Sequence, residues 1–215
     1  PQASRMCAGC HDIALLADGV MDRAVEPADT RAHAGVTCRV CHGIAAARRD
    51  GNGSYTLARR PILLPKGDDQ ASIEIHRRSA APLRTAEMCG ACHRAFLSEA
   101  TGNRGVFLVG QDDLAAWLGS AYNKSGLARV DEAIEARDCI GCHMQSEMAT
   151  RGDAAARRDG VVKSHRFLGG HTWLAGMLGD KDQLERQRAI LRFAVSVDVA
   201  EARDGAGRRT LPADG

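Results

Sequence analysis

Four times along the chain a cysteine is followed three positions later by a second cysteine and then at once by histidine. The copies are Cys7, Cys10 and His11 in "CAGCH", Cys38, Cys41 and His42 in "CRVCH", Cys89, Cys92 and His93 in "CGACH", and Cys139, Cys142 and His143 in "CIGCH". Two thiols at that spacing add to the two vinyl groups of a haem, and the adjacent imidazole takes one axial position on its iron. All eight cysteines of the chain are consumed in this way. Paired cysteines also bind zinc, two pairs to an ion, but zinc leaves the fifth residue unexplained. With eight histidines in 215 positions, the chance that one pair is followed by histidine is about 0.04, and that all four are is about 2 in a million, against a haem motif that requires it. A disulfide framework gives the repeated histidine no purpose either. The motifs predict four covalently attached haem c groups.

Each iron needs a sixth ligand or keeps an open face. Four histidines lie outside the motifs, His33, His76, His165 and His171, which is the number that four bis-histidine haems require. His33 stands five residues ahead of Cys38, and five extended residues reach only about 17 Å, so carrying the chain around the porphyrin edge to its own haem is difficult. It is expected to ligate a different haem. His165 and His171, in "SHRFLGGHTW", would be rotated by about 240° on a helix, and the two glycines favour a bend, so they should face different haems. Met6, Met88 and Met144 lie beside motifs, but methionine around haem is more often packing than ligand.

The elements that must position these groups come from a chain poor in aromatics, at 4%. Four porphyrins would supply the flat apolar surface that side chains do not, so the fold should depend on the cofactor. The formal charge of +2 falls to about −2 with four ferric bis-histidine haems and about −6 with four ferrous ones. Nucleic-acid binding gains nothing from such a balance, and the arginine runs at 58–60, 76–78 and 156–158 fit solvated surface and propionate partners. No stretch approaches 18 apolar residues, so no transmembrane segment is expected. The first motif starts at residue 7, ahead of which no signal peptide fits, while haem attachment to this motif belongs to exported proteins. A mature or trimmed chain, periplasmic or extracellular, is expected.

Helical periodicity follows the first motif over 11–25, starts on an aspartate cap over 112–122, leads into the fourth motif over 127–138, and runs from about Asp182 through Ala194, where Asp182 and Glu185 have capping-box spacing. Residues 48–69, with Asp-Gly, Asn-Gly and two prolines, predict loop with at most a small hairpin. The motifs start at 7, 38, 89 and 139, and this unequal spacing argues against a true repeat. After Ala194, Val195, Val197 and Val199 alternate in the period of a strand. That segment predicts either the approach to a further β domain or a polar tail. The division expected is 1–178 as a tetrahaem domain and 179–215 as a C-terminal helix plus strand or tail.

Taken together, "HAGVTCRVCHG", the C-G-A-C-H and C-I-G-C-H-M motifs and "SHRFLGGHTW" resemble the tetrahaem cytochromes c that accept electrons from hydroxylamine oxidoreductase, and the wider multihaem cytochromes sharing their haem core. The resemblance covers roughly residues 4 to 175. It implies a mainly α, loop-rich fold with little β and with haems in close stacked and perpendicular pairs. It also implies that His33 ligates the third haem and His165 the fourth. The family's ligand for the first haem follows the third motif, where this chain has no histidine, so His76 is the substitute. The second haem is five-coordinate in the family's namesake, and here His171 is available to close it.

An electron carrier working between redox protein partners is the function these features favour, because bis-histidine ligation keeps the same ligands in both oxidation states. An enzyme acting on nitric oxide, nitrite or hydroxylamine needs an open iron, and the spare histidines suffice to close every site. A filament subunit, in which a histidine is donated to a neighbouring copy, has the same ligand count. Homo-oligomer and monomer are therefore both compatible with the sequence.

Overall fold

The computed structural model describes residues 2–22, 25–59, 69–79, 81–123, 134–153, 155–170, 172–192, 194 and 201–210. Nine α-helices are present among them: α1 Gln2–His11, α2 Ile13–Ala17, α3 Cys38–His42, α4 Gln70–Ser79, α5 Ala86–Gly90, α6 Asp113–Leu118, α7 Cys139–His143, α8 Trp173–Met177 and α9 Lys181–Leu191. Eight strands pair as four antiparallel two-stranded sheets: β1 Ile44–Ala47 with β2 Tyr55–Leu57, β3 Arg94–Leu97 with β4 Leu108–Asp112, β5 Ser146–Met148 with β6 Val161–Lys163, and β7 Ala202–Arg203 with β8 Arg209–Thr210. The fold is mixed and helix-leaning, with more strand than the small hairpin and the C-terminal strand that the sequence allows.

The strands fall into a pattern. The second, third and fourth motifs are each followed by a hairpin, β1–β2, β3–β4 and β5–β6. A short helical turn and a hairpin thus recur three times, with connecting loops 48–54, 98–107 and 149–160. The three motifs that carry it start at nearly even intervals, at 38, 89 and 139, and the uneven spacing comes from the first motif, at 7. The first motif differs, because α1 runs straight into α2.

Helix ends follow local chemistry. The helix predicted over 11–25 stops at Ala17, where Gly19 takes φ +70, the left-handed conformation that ends helices. Asp112 caps α6 as predicted, its side chain accepting from the Ala115 N–H at 3.0 Å. In the last helix the cap is Asp180, which accepts from the Gln183 N–H at 2.9 Å, rather than Asp182. Asp182 sits inside the first turn and pairs with Arg186 one turn on, at 3.0 Å. Residues 134–138, the described part of the helix predicted over 127–138, are not helical, and 195–200, with the alternating valines, lie outside the described residues.

Two compact units result, Pro1–His165 and Arg166–Gly215. Arg166 is tied to α9: its carbonyl accepts from the Gln183 amide at 2.9 Å and its guanidinium lies 3.0 Å from Asp182. In the first unit the core is small, built of Ala8, Ile13, Leu15, Val40, Ile44, Ile73, Ala86, Ala91 and Leu114. The second unit buries Leu168, Ala175 and Gln187. Among the described residues no helix is long and apolar enough to cross a membrane.

The β1–β2 turn is the tightest joint. Gly51 is held at φ +72, and a Cβ there would overlap the Arg94 carbonyl, to which the Asn52 N–H donates at 2.8 Å. Gly51→Ala should cost about 2–4 kcal/mol in urea unfolding of the isolated protein, whereas Gly102→Ala, at φ +85 but facing open space, should cost about 1. Equal costs would assign the Gly51 effect to backbone conformation alone and remove the close approach to Arg94.

Candidate haem-attachment site

All four motifs adopt the same helical turn. α1 ends on Cys7, Cys10 and His11, while α3 and α7 consist of the second and fourth motifs. In the third, α5 carries Cys89, and the N–H groups of Cys92 and His93 both donate to the Cys89 carbonyl, at 3.2 and 2.8 Å. Positions i, i+3 and i+4 of a helical turn share one face, so each motif presents two sulfurs and an imidazole on one side. Attachment to one porphyrin edge and ligation of its iron needs that arrangement. Asp138 fixes the fourth turn by accepting from the Gly141 N–H at 2.6 Å.

The structure brings motifs together through their sulfurs. The Cys10 thiol hydrogen-bonds Cys92, and Cys139 hydrogen-bonds Cys89. Each bond lowers the thiol that accepts it to about 7, against the opposing cost of burial, and raises its donor. Cys41 of the second motif is close enough to raise Cys89 and Cys92 further by its charge. The third motif is therefore central, with one cysteine on the first motif and the other on the fourth.

The β1–β2 turn clamps this arrangement. Tyr55 donates its hydroxyl to the Gly9 carbonyl at 2.6 Å, while the Gly53 N–H donates to the Ala91 carbonyl at 2.7 Å. The Asn52 side chain accepts from the Phe96 N–H at 2.8 Å. One hairpin turn thus holds the loops of the first and third motifs against each other. On the far side Gly90 admits Leu114, where a Cβ would meet the leucine side chain at 2.6 Å, so α5 and α6 approach closely.

The remaining histidines are placed unequally. His42 and His165 lie with ring centres 6.3 Å apart and planes 23° from parallel. The two imidazoles lie close enough that both could serve one iron. His165 arrives there from the hairpin of the fourth motif: the N–H of buried Ser164 donates to the Gln145 carbonyl at 2.8 Å, just past β6. The resemblance implies His165 for the fourth haem; the structure sets it against the second motif's His42. Burial, then the fields of His165 and His76, lower the His42 pKa, and neutral imidazole is the ligating form. His76 is half-buried on α4. His33 is exposed and its Nε2 lies 2.8 Å from the Pro27 carbonyl. His171 lies outside the described residues.

His93 has a partner that sequence reasoning missed. Its Nδ1 is 3.1 Å from the Asp113 carboxylate, leaving Nε2 free. Asp113 was legible only as part of a helix start; the bulged register that folds β4 back on β3 brings it to residue 93. Tyr55 was equally hidden, lying in a segment expected to be loop with at most a small hairpin.

The motif residues have the chemistry that haem attachment needs. Among the described residues no group of three or more histidine, cysteine or acidic side chains surrounds a point that could hold a metal ion. A structural zinc needs four such donors, whereas porphyrin supplies four nitrogens and asks the protein for one or two. Cysteines Cys7, Cys10, Cys38, Cys41, Cys89, Cys92, Cys139 and Cys142 would hold the groups covalently, with His11, His42, His93 and His143 as one axial set. Compared with protein-family models, curated proteins and solved structures, the chain matches none.

Burial, then the Cys92 and Cys10 sulfurs, push the Tyr55 phenol up to about 12. A raised acid is stabilising in its neutral form, so its contribution is complete below the ordinary value near 10 and is lost as pH rises towards 12. Ultraviolet titration of the isolated protein should show one of the two tyrosines ionising near 12, a step missing from Tyr55→Phe. A Tyr55→Phe titration superimposable on wild type in that range would place the residue in solvent.

Proposed function

We propose that the chain is an exported tetrahaem c-type cytochrome that carries electrons between redox protein partners. The four C-x-x-C-H turns, which set two cysteines and a histidine at i, i+3 and i+4 of a helical turn, carry this proposal. Each bound haem would supply one iron able to cycle between ferric and ferrous without making a bond to substrate. The protein's part is to hold, orient and insulate. Paired thiols fix each porphyrin edge, the adjacent histidine fixes its tilt, and the His42–His165 pair offers ligation that need not change with oxidation state. The periplasm or the cell exterior is the compartment that this attachment chemistry implies.

The intact mass should exceed that of the 22.9 kDa polypeptide by four haems that survive acid and organic extraction. A mass with zinc and no haem would end the proposal. In electron paramagnetic resonance of the oxidised protein, His165→Ala should convert one low-spin iron to high-spin, open it to carbon monoxide on reduction, and leave four haems attached. A variant with the wild-type spectrum and no carbon monoxide binding removes His165 from the ligand set.

A further inference from the structure

The four motif histidines are chemically identical, so what each imidazole touches is one source of difference between their irons. At His93 that partner is charged. The Asp113 carboxylate meets Nδ1 at 3.1 Å, and the Asp113 backbone N–H donates to the His93 carbonyl at 3.0 Å. The residue is therefore locked to position 93 by its backbone before its side chain is considered. Its neighbour is otherwise engaged: Asp112 accepts from the Ala115 N–H at 3.0 Å and lies 3.3 Å from the Arg94 guanidinium. Asp113 is left to the imidazole. An imidazole whose Nδ1–H donates to carboxylate gains anionic character at Nε2 and becomes a stronger donor to a metal, the effect by which second partners of ligating histidines tune metal sites. A stronger donor favours the ferric over the ferrous state.

We infer that Asp113 is a positioning and tuning residue for the third-motif haem, holding His93 by Nδ1 and lowering that iron's reduction potential relative to the same site without the carboxylate. The inference rests on the haem proposal above and adds to it a tuning of one of the four irons. His93 and Asp113 are both well exposed, at 64 and 67% for their side chains, so water screens the through-space charge and the direct hydrogen bond carries the effect.

The test is a spectroelectrochemical titration of the four-haem protein, with electron paramagnetic resonance of the oxidised form. Asp113→Asn, which keeps a weaker acceptor, should raise one of the four potentials, and Asp113→Leu should raise the same one further, with all four irons low-spin and four haems attached. The rise should persist at high salt. Four unchanged potentials in a fully loaded Asp113→Leu protein would overturn the inference while leaving the haem proposal standing. A rise that vanishes at high salt would also overturn it, because the carboxylate would then act through space and not through Nδ1. A Leu variant with a high-spin iron and no ordered Asn intermediate would reduce Asp113 to a structural support. A wild-type mass without haem would remove both proposals together.

Discussion

The turn from Cys89 to His93 is held on three sides, and much of the first unit takes its position from that hold. The β1–β2 turn binds it through Gly53 and Asn52, α6 returns over it through Asp113 and Leu114, and its two sulfurs touch those of neighbouring motifs. None of these contacts is large in energy. A neutral hydrogen bond contributes about 1 kcal/mol net, so the arrangement is specified by the number and direction of bonds rather than by a deep core. The few buried aliphatic and alanine residues of this unit agree.

A helical turn followed by a hairpin suits a chain that must present sulfur, sulfur and nitrogen repeatedly. The turn sets the three atoms on one face, and the hairpin brings the chain back with its own hydrogen bonds satisfied inside two strands. Returning strands then do work for other motifs: Tyr55, from the hairpin of the second, reaches the first, and His165, just beyond the hairpin of the fourth, reaches the second. Interleaving of this kind makes each motif's geometry depend on residues far away in sequence.

That dependence marks the limit of what the sequence discloses. The motif turns, the Asp112 cap and the final helix are legible because each is set by residues within one or two turns. The partner of His165, the docking of the 51–55 turn and the Asp113 contact are set by pairings between segments tens of residues apart, for which periodicity carries no signal. The threefold recurrence was legible in principle, since Ile44, Arg94 and Ser146 each begin a strand one to three residues after a motif histidine. The first motif, which has no hairpin, breaks the otherwise near-even spacing and pointed away from it. The cap at Asp180 lies two residues ahead of the expected start at Asp182, within the usual uncertainty of a helix start.

The His42–His165 pair has a consequence for the chain as a polymer. A metal bonded to both rings would close a loop of more than a hundred residues, as a disulfide does, and removing that much freedom from the unfolded chain is worth on the order of 5 kcal/mol. Such a bond, unlike sulfur–sulfur, can open without a change in covalent structure. A strong competing axial ligand, or acid that protonates the imidazoles, would cut the cross-link while every cysteine stayed attached, so unfolding of the first unit would be governed by ligand exchange at one iron.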